Sequence, residues 1–184
     1  KGILVPGSME SEAIAQRAAE AFLAEHIDLL APGASFRDFK MVSNHYGQSI
    51  RTLGYIQYKD GLEVLGGQVS FRFKNDRLFV IGSEALPHVR VDFSKRSISN
   101  STAKNVAKAW IAKETGSTVS HAHVDGLFIL PILKYGQAPQ YRTVVQVTLD
   151  AKKPVGKWEV FIDAKTGAEV AREQTLKFAT SEVH

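Results

Sequence analysis

The chain has 184 residues, 44% hydrophobic and 23% charged, and its 23 lysines and arginines against 19 aspartates and glutamates leave a net charge of +4. These are the proportions of a globular chain with one large or two small domains. No apolar run approaches the eighteen or so residues of a spanning helix, and no block of like charges marks a nucleic-acid tail. Cysteine is absent, which excludes disulfides, thiolate zinc sites and cysteine nucleophiles together.

The opening "KGILVPGSM" shows neither helical nor strand period. Its "LVPGS" resembles a protease-recognition scar from an expression vector, so residues 1–8 are read as a vector-derived tail. From Glu10 to His26 the spacing of Ile14, Ala18, Phe22 and Leu23 predicts a helix, with Ser11 as its N-cap. Ala31-Pro32-Gly33 stops it. The period then switches to two, and "FKMVSNHYG" and "SIRTLGYIQY" read as strands joined near His45 to Gln48. Lys59-Asp60-Gly61 is a hairpin turn, because glycine supplies the positive φ that a tight turn demands. Val64, Gly67, Val69, Phe71 and Phe73 then alternate with Gln68, Ser70 and Arg72, a strand with one buried face. Asn75-Asp76-Arg77 turns the chain again and Leu78 to Ile81 returns it. Gly66-Gly67 within a strand predicts a bulge or a close backbone approach.

Residues 86–99 read as a connector, with the linker proper at 91–100. "STAKNVAKAWIAKETG" predicts a helix from Ser101 to Thr115, with Val106, Ala107, Trp110 and Ile111 on its apolar side and Gly116 at its end. Strands are predicted at Val119–Val124, Leu127–Lys134, Tyr141–Leu149, Lys157–Ile162 and Ala168–Phe178. Helix followed by antiparallel strands thus occurs twice. The expected class is α+β, two modules each with a helix packed on an antiparallel meander. The expected modules run over 9–90 and 101–178, with a C-terminal tail at 179–184.

Few residues in this frame suggest chemistry. There is no HExxH, GxSxG, P-loop or GxGxxG. Asp60, Glu63, Asp76, Asp125, Asp150 and Asp163 lie in or beside turns, where carboxylates cap backbone amides. His121 and His123 would share one strand face and could meet a metal, but no third ligand accompanies them. His26 ends a helix, where positive charge suits the dipole. Tyr55, Tyr58, Phe71, Phe73 and Phe79, with Arg51, Arg72, Lys74 and Arg77, could form a basic aromatic sheet for single-stranded nucleic acid. An ordinary sheet with one apolar and one charged face accounts for the same residues, since Phe71 and Phe73 are in phase with Val69.

"YIQYKDGLEVLGGQVSFRFKNDRLFVIGSEALP" resembles the fungalysin/thermolysin propeptide module. Tyr55, Gln57, Gly61, Leu62, Val64 and Gly66 fit its pattern; Glu63 stands where proline is usual, Leu65 where an aromatic is usual, and Gly54 where arginine is frequent. The second half resembles a PepSY module, through "AKNVAKAWIA" and a closing "WEVFIDAKTGAEV" that contains Trp158, Phe161, Asp163, Thr166 and Gly167. In this order the two are similar to the pro-region of secreted thermolysin-like zinc proteases of the pseudolysin and vibriolysin type.

The resemblance implies a non-catalytic chain that assists folding of a mature zinc metalloprotease domain and inhibits it, first by covalent tether and then noncovalently. No cofactor is implied in this chain; zinc and calcium are expected in the protease. Relatives cut themselves after a histidine at the pro-region boundary, and "TSEVH" places His184 like that residue. Ser181, Glu182, Val183 and His184 are therefore the implied inhibitory tail, with His184 a possible ligand in trans to the protease zinc. Secretion or periplasmic export is implied, with neither nucleic acid nor membrane as partner. The alternatives are a free-standing protease inhibitor and a sheet that binds single-stranded nucleic acid.

Overall fold

The structure is a computed structural model and describes residues 2–91 and 96–176. The chain divides into two compact units, Lys1–Arg90 with Ile129–Tyr141, and Val91–Phe128 with Arg142–His184. Residues 92–95 of the expected linker, and everything from Lys177 on, lie outside the described residues.

In the first unit, helix α1 (Glu12–Glu25) begins where expected: the Ser11 hydroxyl accepts the Ile14 amide at its N-terminus. A short helix, α2 (Ile27–Leu30), and a 3-10 turn at Phe36–Asp38 follow. Four antiparallel strands come next: β2 (Phe39–Gly47), β3 (Ile50–Lys59), β4 (Leu62–Lys74) and β5 (Arg77–Ser83), after a two-residue β1 (Ile3–Leu4). Within the unit the strands lie in the order β1-β5-β4-β3-β2. Both tight turns use left-handed backbone, Asp60 and Gly61 at φ 51° and 83°, Asn75 and Asp76 at 49° and 51°. That geometry matches the natural twist of a two-residue hairpin.

The core of this unit lies where α1 covers the sheet. Ala15, Ala19 and Leu23 meet Leu53, Tyr55, Val69, Phe71 and Phe73. The two alanines present little bulk, which lets the helix approach the large rings. Phe71 and Phe73 are fully buried, and burial of a side chain that size contributes about 1.5–3 kcal/mol.

Residues 3–8, whatever their origin, pack on the first unit: Ile3 and Leu4 pair with Leu78 and Arg77, and Ser8 is fully buried. Asp76 holds the segment in place, its carboxylate accepting the Met9 amide at 2.9 Å and its backbone carbonyl accepting the Val5 amide at 2.7 Å.

The second unit contains helix α3 (Asn100–Thr115), capped by the Ser99 hydroxyl on the Thr102 amide and closed by Gly116 at φ 68°. Ala103, Ala107 and Ile111 of α3 pack on Val145, Val147, Leu149, Val160 and Ile162. The strands are β6 (Val119–Ile132), which belongs to this unit up to Phe128, β7 (Gln140–Lys152), which belongs to it from Arg142, β8 (Val155–Asp163) and β9 (Glu169–Gln174), neighbours in that order. The α+β class with helices on antiparallel sheets is thus observed. One detail differs. The strands expected at Val119–Val124 and Leu127–Lys134 are a single strand, because Asp125 and Gly126 stay extended. The Asp125 carboxylate accepts the Thr148 hydroxyl of β7 at 2.8 Å and so belongs to the sheet.

Candidate functional site

Among the motif residues of the first unit, Gln57 is buried and doubly hydrogen-bonded. Gln57, 1% exposed, lies on β3 facing the core. Its Nε2 donates to the Leu86 carbonyl at 3.0 Å, and its Oε1 accepts the Leu86 amide at 2.8 Å. A single amide thereby ties the strand to the segment leaving β5. Gly67 lies directly beside it, and the irregular register between Ile56 and Tyr58 marks the bulge expected at Gly66-Gly67. Gly66 has φ 79° and Gly61 φ 83°, so both need the freedom of glycine. Val64 is fully buried and Tyr55 is 2% exposed.

Tyr55 stands edge-on to Phe71, with ring centroids 5.8 Å apart. Its hydroxyl finds no hydrogen-bond partner among the described residues. Burial, and secondarily the charge of Glu20, pushes its ionisation well above the usual tyrosine range. Tyr55 thus remains a neutral core residue.

Arg51 shares this inward face, a position that its phase with Leu53 and Tyr55 foreshadows. It is 4% exposed. Nη1 donates to Asn44 Oδ1 at 2.9 Å and Nη2 to the Met9 carbonyl at 3.0 Å. Glu12 Oε1 stands 3.8 Å away on a largely exposed side chain, and Nε is buried without a partner among the described residues. Of the basic aromatic set, Arg51, Tyr55, Phe71 and Phe73 point inward, while Arg72, Lys74, Arg77 and Phe79 are exposed.

In the second unit Asp163 organises the β8–β9 turn. Its Oδ1 accepts the Thr166 amide at 2.8 Å, the Thr166 hydroxyl at 2.9 Å and the Lys165 amide at 3.0 Å. Oδ2 faces Arg142 at 3.7 Å. Burial alone would raise its pKa, but the Thr166 and Lys165 donors and the Arg142 charge outweigh it and hold the carboxyl below its ordinary value. Gly167 completes the turn at φ 75°.

Trp158 is part of a cluster that the sequence does not reveal. The Arg172 guanidinium of β9 lies over Trp158 at 5.3 Å and over Trp110 of α3 at 5.6 Å. Arg172 also pairs with Glu114, which accepts the Trp110 indole N–H at 2.5 Å. The partners are far apart in sequence, and only the α3 packing brings them together.

His121 and His123 share the exposed side of β6. Among the described residues no group of three histidines, aspartates or glutamates could hold a metal ion. Ser181, Glu182, Val183 and His184 lie outside the described residues. None of the described helices is long and apolar enough to cross a membrane.

No family model matches the chain, and no curated protein matches it. Among solved structures it is similar to the Bacillus megaterium YpeB C-terminal domain, at 15% identity and a TM-score of 0.39. That match covers 91% of this chain and 66% of the other, so the chain spans just under two thirds of that structure's length.

Proposed function

We propose that this chain is a non-catalytic pro-region of a secreted or periplasmic zinc metalloprotease, a folding assistant and inhibitor that works by shape. The observation that carries the reading is how the polar motif residues are engaged. Gln57 uses both ends of its amide on the Leu86 backbone, and Asp163 uses its carboxylate on turn amides. Engaged in this way, Gln57 and Asp163 serve the fold rather than acid–base work.

In this reading the partner is the mature protease domain, tethered at first and noncovalently bound after cleavage. A catalytic zinc keeps one coordination position open. The tail ending in Ser181, Glu182, Val183 and His184 enters the cleft, and the His184 carboxylate or imidazole takes that position as a bound product would. The tether supplies an effective concentration on the order of millimolar, so weak tail contacts suffice. Zinc and calcium belong to the protease. Neither nucleic acid nor membrane is a partner.

Refolding the denatured mature protease with and without this chain in trans tests the folding role, and unchanged yield and rate would remove it. Deleting Glu182 to His184 tests the inhibitory role: inhibition should weaken at least about tenfold, and full inhibition by the shortened chain would rule out the tail mechanism.

A further inference from the structure

The side of the first unit's sheet that faces away from α1 combines a groove with uncompensated positive charge. Cross-strand register sets Ser43, Gly54, Ser70 and Gly82 in one row across β2 to β5. The next row is His45, Thr52, Arg72 and Val80. A groove of about 430 Å³ opens here, lined by Gln68, Ser70, Arg72, Gly82, Ser83 and Glu84. Its depth depends on Gly82, where a Cβ would come within 3.0 Å of Ser70 Oγ.

Arg72 stands at the basic end of this groove, with Lys74 two residues further along the strand and Arg77 directly across from Lys74. All three are exposed, and none has a carboxylate within ion-pair distance among the described residues. The nearby Asp76 carboxylate is occupied by the Met9 amide and the Ser8 hydroxyl. Like charges directly opposite across a hairpin oppose pairing. The hairpin therefore carries a local repulsion that an anionic partner would relieve.

Glu84 lies at the other end, where its carboxylate accepts the Gln68 side-chain amide. It repels acid there while Arg72 attracts it, which gives the groove a direction. We propose that this face docks an extended acidic polypeptide segment, a carboxylate lodging at Arg72 and the backbone crossing the floor at Gly82. A single-stranded nucleic acid fits less well. Stacking on aromatic side chains supports such binding; Phe71 and Phe73 are buried on the opposite side, and of the three rings on β4 and β5 only Phe79 is exposed. Tyr58, on the same side as the groove, has the Lys40 ammonium 4.0 Å above its ring. The proposal does not rest on the tail mechanism and stands or falls without it.

The test is fluorescence anisotropy with the full chain and a labelled peptide of alternating Glu and Ser, with the Lys–Ser peptide and oligothymidylate as comparisons. The acidic peptide should bind, more weakly as salt rises, and the Lys–Ser peptide should not. Arg72→Ala combined with Lys74→Ala should weaken binding at least about tenfold. Gly82→Ala should weaken it too with no change of charge, and circular dichroism should show both variants folded. Absence of acidic-peptide binding, tighter binding of oligothymidylate, or undiminished binding by either folded variant would each overturn the proposal.

Discussion

Gly67 and Gln57 are so close that a Cβ on the glycine would sit 2.6 Å from Gln57 Oε1 and 3.2 Å from the Val64 carbonyl. The same Oε1 accepts the Leu86 amide, so the absence of a side chain at one position protects a hydrogen bond made by the other. Gly67→Ala should therefore act as a lesion of the Gln57 contact. Gln57→Leu, which leaves the Leu86 amide and carbonyl without that partner, should cost roughly 1–3 kcal/mol for each group left unsatisfied. Urea denaturation of both variants checks this, with Gly67→Ala expected to be destabilised by a similar amount. A wild-type midpoint for Gly67→Ala would show that the backbone yields instead.

Asp163 predicts a pH dependence of definite sign. Its carboxyl titrates below the ordinary 3.8 in the folded chain, so the unfolded chain takes up its proton first as pH falls. The stabilisation is fully present above the ordinary value and is lost as pH drops through the folded-state value. Asp163→Asn should flatten this acid limb. Chemical denaturation repeated across the acid range checks it, and an unchanged slope would assign the effect to other groups.

Arg172 links β9 to α3 through the only two tryptophans in the chain, Trp110 and Trp158. Intrinsic tryptophan emission is therefore a direct reporter of this cluster. Arg172→Ala should shift the emission and lower stability by roughly 1–2 kcal/mol, because cation–π contact and ion pairing are lost together. Arg172→Lys should recover part of both, since an ammonium keeps the charge but not the planar stack. An unaltered spectrum in Arg172→Ala would show that the guanidinium does not sit between the indoles.

Deleting residues 2–8 should destabilise the first unit, because it removes Ser8 from the core and the β1 pairing from β5. Hydrogen exchange at the Leu78 amide, opposite Ile3, measures the effect. Protection equal to that of the full chain would return this segment to the status of a passive tail.

The sequence revealed most where local chemistry dictates backbone. Asp60-Gly61 and Asn75-Asp76 force hairpins, and the alternation from Val64 to Phe73 fixes which face is buried. It revealed least where an element is too short to carry a period, as with Ile3–Leu4, or where a turn signal is overruled by its neighbours. Asp125-Gly126 is the second kind: a side-chain bond to Thr148 keeps it in the strand. The charged face was half legible. Alternation exposes Arg72 and Lys74, but only the β4–β5 register places Arg77 opposite Lys74. The Arg172 cluster depends on contacts between α3, β8 and β9 that no local pattern encodes.

Arg51 bears on how the first unit comes apart. A guanidinium cannot shed its proton to escape an apolar setting, and one of its donors is satisfied by the Met9 carbonyl. Peeling the leading segment off the sheet would strand a permanent cation with one fewer acceptor. The beginning of the chain and strand β3 are thus expected to let go in a single cooperative event, so that fraying at this end is checked from inside.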